Sequence, residues 1–323
     1  MHESVTISDN AKPAEDAQPP VARPTNSLAM NRWSGAFGLF RAMRPVQWTK
    51  NAIVLAALVF DERLLEGGAL ARAIAAVLVF CAVSSANYII NDLRDVAADR
   101  LHPRKRDRPI AARLVSPMPA IILALSLLAA GLVGAYAIRP GFLAVISGYI
   151  LLMVAYSYAL KRLVLIDVFA IAAGFVLRAA GGAVAIGVPI SPWLYVCTML
   201  LALFIGFAKR RHEMTSLEAV AVQHRASLDA YTVPMLDQLI TIVAASTLMA
   251  YSLYTFDAAA VPSNHAMMLT VPFVVYAMFR YLFLIHRRDG GGSPETLLFK
   301  DAPLLGSILC WGVVSVAILY LAG

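Results

Sequence analysis

Nine apolar stretches, each long enough to cross a bilayer or nearly so, dominate this chain. They lie at about residues 43–60, 69–91, 118–138, 141–160, 165–186, 192–208, 236–256, 267–285 and 303–321. A helix needs roughly 20 apolar residues to traverse about 30 Å of hydrocarbon. Only helices and closed barrels satisfy every backbone N–H and C=O in that medium. Such runs rule out the two soluble domains that 323 residues alone would suggest. Charged residues make up 15% of the chain, against about a quarter in an ordinary soluble domain. The first stretch has the shortest apolar core. The expected fold class is an all-α membrane protein with nine transmembrane helices.

The basic residues orient these spans. With the N-terminus in the cytoplasm, the external loops hold only Arg63, Arg72 and Arg139, and Arg178 and Arg280 fall within or near spans. The other 22 of the 27 Lys and Arg fall on the cytoplasmic side, as the positive-inside pattern requires. The expected location is the inner (cytoplasmic) membrane, multi-pass, with the N-terminus and the active site facing the cytoplasm. Nine crossings then put the C-terminus outside. The net charge of +7 reads as a topology signal and a contact for anionic lipid, not as a nucleic-acid surface. Residues 1–30, with Glu3, Asp9, Glu15 and Asp16, several prolines and no apolar core, are expected to be a disordered cytosolic tail. Residues 31–323 then form the membrane domain. Trp33, Phe37 and Phe40, with Arg32, Arg41 and Arg44, suggest an amphipathic helix on the inner leaflet. Cys81, Cys197 and Cys310 lie inside spans, far apart, and read as small buried apolar residues.

Polar chemistry concentrates on the cytoplasmic side. After the second span, Asp92, Asp95 and Asp99 follow the spacing i, i+3, i+7, which places them on one helix face. Asn91 adds a neutral oxygen, and Tyr88 lies one turn earlier. Arg94, Arg100, Arg104, Lys105, Arg106, Arg108 and Arg113 crowd the same segment. Oxygen-only ligands suit Mg²⁺, which binds through one or two carboxylates plus substrate phosphates. The basic neighbours suit phosphate oxygens. The plain alternative is a solvated acidic face beside a positive-inside loop. Lys50 is either a phosphate ligand or an interfacial anchor, and Lys161 sits in a short loop close to the membrane surface. Arg178 falls inside a span, where a cation is costly and points to function; a structural pair with Asp167 is the alternative. Lys209, Arg210 and Glu213 end the sixth span, and a surface ion pair is their bland reading. The segments 215–235 and 286–301 are polar and could cover a site. The expected architecture is therefore a central cavity, open to the cytoplasmic side, with an apolar interior for a lipid tail.

The pattern N-D-x-x-D-x-x-x-D after the second span resembles the intramembrane prenyltransferase superfamily, which includes ubiquinone-biosynthesis enzymes. Arg44-Pro-x-Gln-Trp-x-Lys-Asn51, then Asp99-Arg-x-His-Pro-x-Lys-Arg-x-Arg-Pro-Ile110, Lys209-Arg210 with Glu213, Ser293-Pro-Glu-Thr and Asp301 are similar to its phosphoribosyl-transferring branch. That resemblance runs from Arg41 to the C-terminus. It implies transfer of a 5-phosphoribosyl group from phosphoribosyl diphosphate to a polyprenyl phosphate such as decaprenyl phosphate. The reaction would depend on Mg²⁺, release diphosphate and, in some organisms, feed cell-wall arabinan synthesis. It implies catalytic roles for Asp92, Asp95 and Asp99, with Asn91, Asp92 and Asp95 as metal ligands. Donor contacts would come from Lys50, Tyr88, Lys105, Arg106, Arg108 and Lys161. Arg178, Lys209 and Arg210 would take the acceptor phosphate. The other partners are the membrane and, left open, a second copy of the chain in a homo-oligomer. Aromatic prenyltransferases of the superfamily carry a second acidic motif after the sixth span. Here that position reads Lys209-Arg-Arg-His-Glu213, which argues against a second metal clamp. An aromatic prenyltransferase using a polyprenyl diphosphate in quinone or haem biosynthesis remains the rival enzyme, and a lipid or ion transporter the rival non-enzyme.

Overall fold

The computed structural model describes residues 27–102, 105–217, 230–257, 264–287 and 294–321. These form an all-helical bundle. α1 (Ser27–Ala42) leads into a long 3₁₀ helix, Pro45–Leu55, and the short α2 (Ala56–Phe60). α3 (Gly67–Arg94), α4 (Val96–Leu101), α5 (Pro117–Ile138), α6 (Pro140–Tyr158) and α7 (Ile166–Ile186) follow. α8 (Pro192–Leu217), α9 (Val233–Asp257), α10 (Val271–Arg287), α11 (Pro294–Lys300) and α12 (Ala302–Leu321) complete the order. Proline at the first or second position starts the long 3₁₀ helix, α5 and α6, where its missing N–H has no helical partner to lose. α7 ends at Gly187 with φ 81°, a left-handed cap that glycine adopts without penalty. Asp301 caps α12 by accepting from Leu304 N–H at 3.0 Å.

Eight helical segments among the described residues are long and apolar enough to cross a membrane: α3, α5 to α9, Ala266–Arg287 and α12. The first expected span, 43–60, is not one of them. It folds as the 3₁₀ helix of 11 residues followed by five α-helical residues. At about 2.0 Å rise per residue for 3₁₀ and 1.5 Å for α, the pair still extends for roughly 30 Å. The segment packs closely on α7, where a Cβ added at Gly182 would lie 1.9 Å from the Val54 carbonyl oxygen. Backbone meets backbone there. Trp48 Nε1 donates to Ser85 Oγ at 3.0 Å, and Asn51 Nδ2 to Cys81 Sγ at 3.2 Å, so the segment lies along α3 as well.

Two cores share α7. In one, Val54, Phe80, Val83, Phe142, Ile146 and Tyr149 knit the long 3₁₀ helix to α3 and α6. In the other, Val168, Phe204, Phe207, Leu236, Ile240 and Leu284 join α7 to α8, α9 and α10. A largely apolar cavity of about 500 Å³ runs between the 3₁₀ helix with α2 and the helices α7 to α10 and α12. Thr49, Lys50, Phe60, Cys197, Tyr254 and Trp311 are among its lining residues. Large apolar side chains such as Leu78, Val133, Leu151, Ile242 and Val313 face outward, as lipid contact requires. The expected tail lies mostly outside the described residues, as do most of 215–235, the glycine-rich 288–293, and Arg104. The expected interfacial helix is α1, with Phe37 and Phe40 exposed.

Candidate active site

The acidic stripe does not stay on one straight helix. α3 stops at Arg94, Asp95 takes φ −90°, ψ 7°, and α4 begins at Val96. The break divides the three acids. Asp92 and Asp99 turn inward and are 2% and 3% exposed. Asp95 turns aside and receives Arg94 in a fork, Nε to Oδ1 at 2.8 Å and Nη2 to Oδ2 at 3.0 Å. Arg94 in turn donates to the Ser157 carbonyl at 3.1 Å and covers the Tyr158 ring, so Asp95 belongs to the α6 side. The Arg94 guanidinium holds the Asp95 carboxyl below its ordinary value, and the Lys161 and Lys105 ammonium groups add to the effect.

Asp92 and Asp99 share a cation. Arg108 Nη1 lies 3.1 Å from Asp92 Oδ1 and 2.6 Å from Asp99 Oδ2. The two carboxylate oxygens are therefore about 5.7 Å apart at most, those two distances end to end. Arg44 Nη2 closes on the same Asp92 oxygen at 2.5 Å and covers the Tyr88 ring at 5.1 Å. Two buried carboxylates meeting two partly exposed guanidinium groups form a charge-balanced cluster. Among the described residues, no group of three or more His, Cys, Asp or Glu is arranged to hold a metal by itself. Mg²⁺ does not need one, since it is content with two carboxylates, waters and substrate phosphates. Among the described residues, the Asp92–Asp99 gap, bridged by the Arg108 guanidinium, offers two buried carboxylates of the kind such an ion takes. Asn91, next to Asp92 in the chain, is half-buried.

Lys50 lines the apolar cavity and donates to Gln47 Oε1. Six residues before it in the chain, Arg44 grips Asp92, so the long 3₁₀ helix links the charged cluster to the cavity. Lys105 and Arg106 are exposed, and Lys161 is half-buried.

Arg178 does not pair with Asp167. Its Nε donates to Asn51 Oδ1 at 2.8 Å, its Nη1 to the Gly174 carbonyl at 3.0 Å and its Nη2 to Tyr149 Oη at 2.7 Å. All three partners are neutral, and Arg178 is 6% exposed. Asp167 instead meets Arg210, whose Nε lies 3.3 Å from Asp167 Oδ2, and Arg210 is also paired with Glu213. Arg210 is 1% exposed, closed in by two carboxylates, while Lys209 is half-buried beside it. At this end of α8 the acids already hold a cation of the chain's own. Arg44 is the main addition to the expected set. Its signal was present in the Arg44-Pro-x-Gln-Trp-x-Lys-Asn51 motif, which carries it to the start of the 3₁₀ helix.

The fold has known counterparts. Residues 52–300 match the model of the UbiA prenyltransferase family. The chain is 35% identical to a decaprenyl-phosphate phosphoribosyltransferase of Mycolicibacterium smegmatis, over 95% of this chain and 98% of that protein. It is 34% identical to one of Corynebacterium glutamicum, over 88% of each, and 33% identical to one of Mycobacterium tuberculosis, over 85% and 91%. Among solved structures, a UbiA homologue from Archaeoglobus fulgidus bound to GPP and Mg²⁺ superposes with a TM-score of 0.66 at 19% identity, covering 87% of this chain and 99% of that one. Matched over most of its length by the family model and by relatives of the same kind, the chain belongs to the UbiA prenyltransferase family.

Proposed function

We propose that this protein transfers a 5-phosphoribosyl group from phosphoribosyl diphosphate to a polyprenyl phosphate, decaprenyl phosphate in the first instance, with release of diphosphate. The observation that carries the reading is the pair of buried carboxylates, Asp92 and Asp99, bridged by Arg108 and backed by Arg44. Full-length similarity to named decaprenyl-phosphate phosphoribosyltransferases supports the donor and the acceptor. The closure of Asp167 and Glu213 around Arg210 counts against a second metal clamp at α8, and so against the aromatic prenyltransferase reading.

The acceptor's phosphate oxygen is anionic at neutral pH, so attack on the anomeric carbon needs no general base. The difficult event is departure of the diphosphate. Mg²⁺, when bound, neutralises charge on that leaving group. Asp92 and Asp99, with Asn91 next to Asp92 in the chain, would hold the ion, and Asp95 would stand at the edge of the same site. Arg108 and Arg44 can exchange their carboxylates for phosphate oxygens as the donor enters. Lys50, Tyr88, Lys105, Arg106 and Lys161 complete the donor side. Arg178, with only neutral partners, and Lys209 take the acceptor phosphate, and Arg210 joins them only by releasing Asp167 or Glu213. Proximity and fixed charge supply the acceleration. The polyprenyl tail occupies the apolar cavity beyond Lys50. If each carbon takes about the 30 Å³ of a water in the liquid, a space of about 500 Å³ holds roughly three five-carbon units. The rest of the chain lies among the lipids.

The remaining assignments follow from this reading. The membrane domain spans residues 31–323 behind a cytosolic tail, in a cytoplasmic membrane. It crosses nine times, the 45–60 segment being the first crossing. Its cavity opens, and its active site faces, toward the cytoplasm. Incubation of purified protein with Mg²⁺, labelled phosphoribosyl diphosphate and decaprenyl phosphate tests the proposal. A labelled lipid that disappears with a chelator and with Asp92→Asn supports it. Absence of that lipid, with transfer of a prenyl group from prenyl diphosphate to an aromatic acid, overturns it.

A further inference from the structure

The turn between α6 and α7 holds the most contorted backbone near the site. Leu165 takes φ 65°, ψ −47°, and the Ile166 N–H donates to the Val164 carbonyl at 2.8 Å. A three-residue closure at positive φ is the rare, strained hand of γ-turn. A leucine persists there only where its surroundings over-determine it. Besides the first hydrogen bonds of α7 and apolar packing of Val164 and Leu165, one side chain grips this turn. Tyr231 Oη accepts from Leu165 N–H at 2.7 Å and donates to Asp167 Oδ1 at 2.9 Å. It reaches in from just before α9, with its ring 2% exposed in the core shared by α7, α8 and α9. Asp167 is itself fully buried and held by Arg210. Burial pushes the Tyr231 hydroxyl up, so it stays a neutral donor at physiological pH.

The same turn carries Lys161 and Arg162 in a single 3₁₀ turn, Leu160–Arg162. The Lys161 ammonium is close enough to Asp95 to add to the charge that keeps that carboxyl low. Tyr231 is thus tied, through a few residues of backbone, to a cation at the edge of the charged cluster.

We propose that Tyr231 is a positioning residue for the transfer reaction, gripping the strained Leu165 turn and thereby fixing where Lys161 meets the donor's diphosphate. The inference rests on the reading of Lys161 as a donor ligand. Tyr231 touches no reacting atom. Its effect appears as donor affinity.

The test uses the full-length enzyme in Mg²⁺ and detergent, as wild type, Tyr231→Phe, Lys161→Ala and the double variant. kcat, the KM for phosphoribosyl diphosphate, the KM for decaprenyl phosphate and thermal stability are measured for each. Loss of a hydrogen bond to a carboxylate predicts about a tenfold rise in donor KM for Tyr231→Phe, with kcat and acceptor KM within about twofold. The double variant should be no worse than Lys161→Ala alone, since coupled residues are not additive. Leu165→Pro breaks the same contact from the other side, because proline has no N–H to give Tyr231 Oη, while Tyr231 keeps its hydroxyl for Asp167. Proline is tolerated at a helix start but barred from φ 65°, so it should raise donor KM comparably even if Tyr231→Phe does not fold. Additive losses in the double variant overturn the proposal, as do parallel losses in kcat and both KM values that track thermal stability. If Lys161→Ala raises donor KM while Tyr231→Phe and Leu165→Pro do not, the positioning role fails and the Lys161 reading stands. If Lys161→Ala leaves donor KM unchanged, the Lys161 reading itself fails.

Discussion

Replacing Gly182 by alanine tests whether the long 3₁₀ helix positions the site. The new Cβ would sit 1.9 Å from the Val54 carbonyl oxygen, against about 3.3 Å for the closest carbon–oxygen approach seen between packed backbones. The two elements must part by roughly 1.4 Å, because neither side of the contact is a side chain that can rotate away. Overpacking costs typically about 1–3 kcal/mol, and a backbone-to-backbone clash belongs at the upper end. About 3 kcal/mol lowers the melting temperature by roughly 6–12 °C, at 2–4 °C per kcal/mol for chains of 150–250 residues. The functional effect should be larger. Lys50 and Asn51 ride on the displaced segment, and a 1 Å misplacement can cost about a hundredfold in rate. Gly148→Ala on α6 is the control, since its Cβ would have nothing within 4 Å. Thermal unfolding followed by tryptophan fluorescence, together with transferase kcat/KM, gives the comparison. Wild-type stability and activity in Gly182→Ala, or equal losses in the two variants, would refute this account of the segment.

Three more outcomes are expected. Arg108→Ala should remove donor binding and lower stability by about 1–2 kcal/mol, a discounted form of the loss for a fully buried pair because Arg108 is partly exposed. Adding Asp99→Asn should recover part of that stability but not the activity, and a further drop in melting temperature would contradict the shared-cation description. Ala277→Phe, which fills the cavity beside Phe273 and Met278, should raise the KM for decaprenyl phosphate several-fold and leave donor KM unchanged; an effect on the donor alone would remove the tail from this cavity. The Asp95 carboxyl, held below its ordinary 3.8 by Arg94, is charged above that value in folded and unfolded chains alike. Its pair with Arg94 stabilises the fold there and is lost only as the pH falls through the lowered value. Activity between about pH 5 and 8 should therefore show no protonation step that vanishes in Asp95→Asn.

Much of this was legible from residue types. The spacing of Asp92, Asp95 and Asp99 points to the site, and the basic residues crowded between Arg94 and Arg113 point to its rim. What spacing could not convey was the single-residue break at Asp95, which sends that carboxylate to Arg94 and leaves Asp92 facing Asp99. Local sequence gives no sign of it, because Arg108, which draws the two acids together, comes from the following loop. Arg178 was marked as a costly cation, but the Asp167 partner open to it by sequence went to Arg210. Arg178 found Asn51 and Tyr149 instead, contacts between segments far apart in the chain. Tyr231 carried no signal at all, since an isolated tyrosine after a polar stretch looks like any surface residue.

The Pro45–Leu55 segment changes how such chains should be counted. Winding with three residues per turn stretches a peptide by about a third over the usual helix, so sixteen residues reach where a conventional span needs twenty. On the nine-crossing reading proposed above, a count that admits only helices of ordinary pitch and length falls one short, and an error of one inverts the side on which the carboxyl end emerges. Reporter fusions at Leu321 therefore read out the pitch of residues 45–55, some 270 positions away.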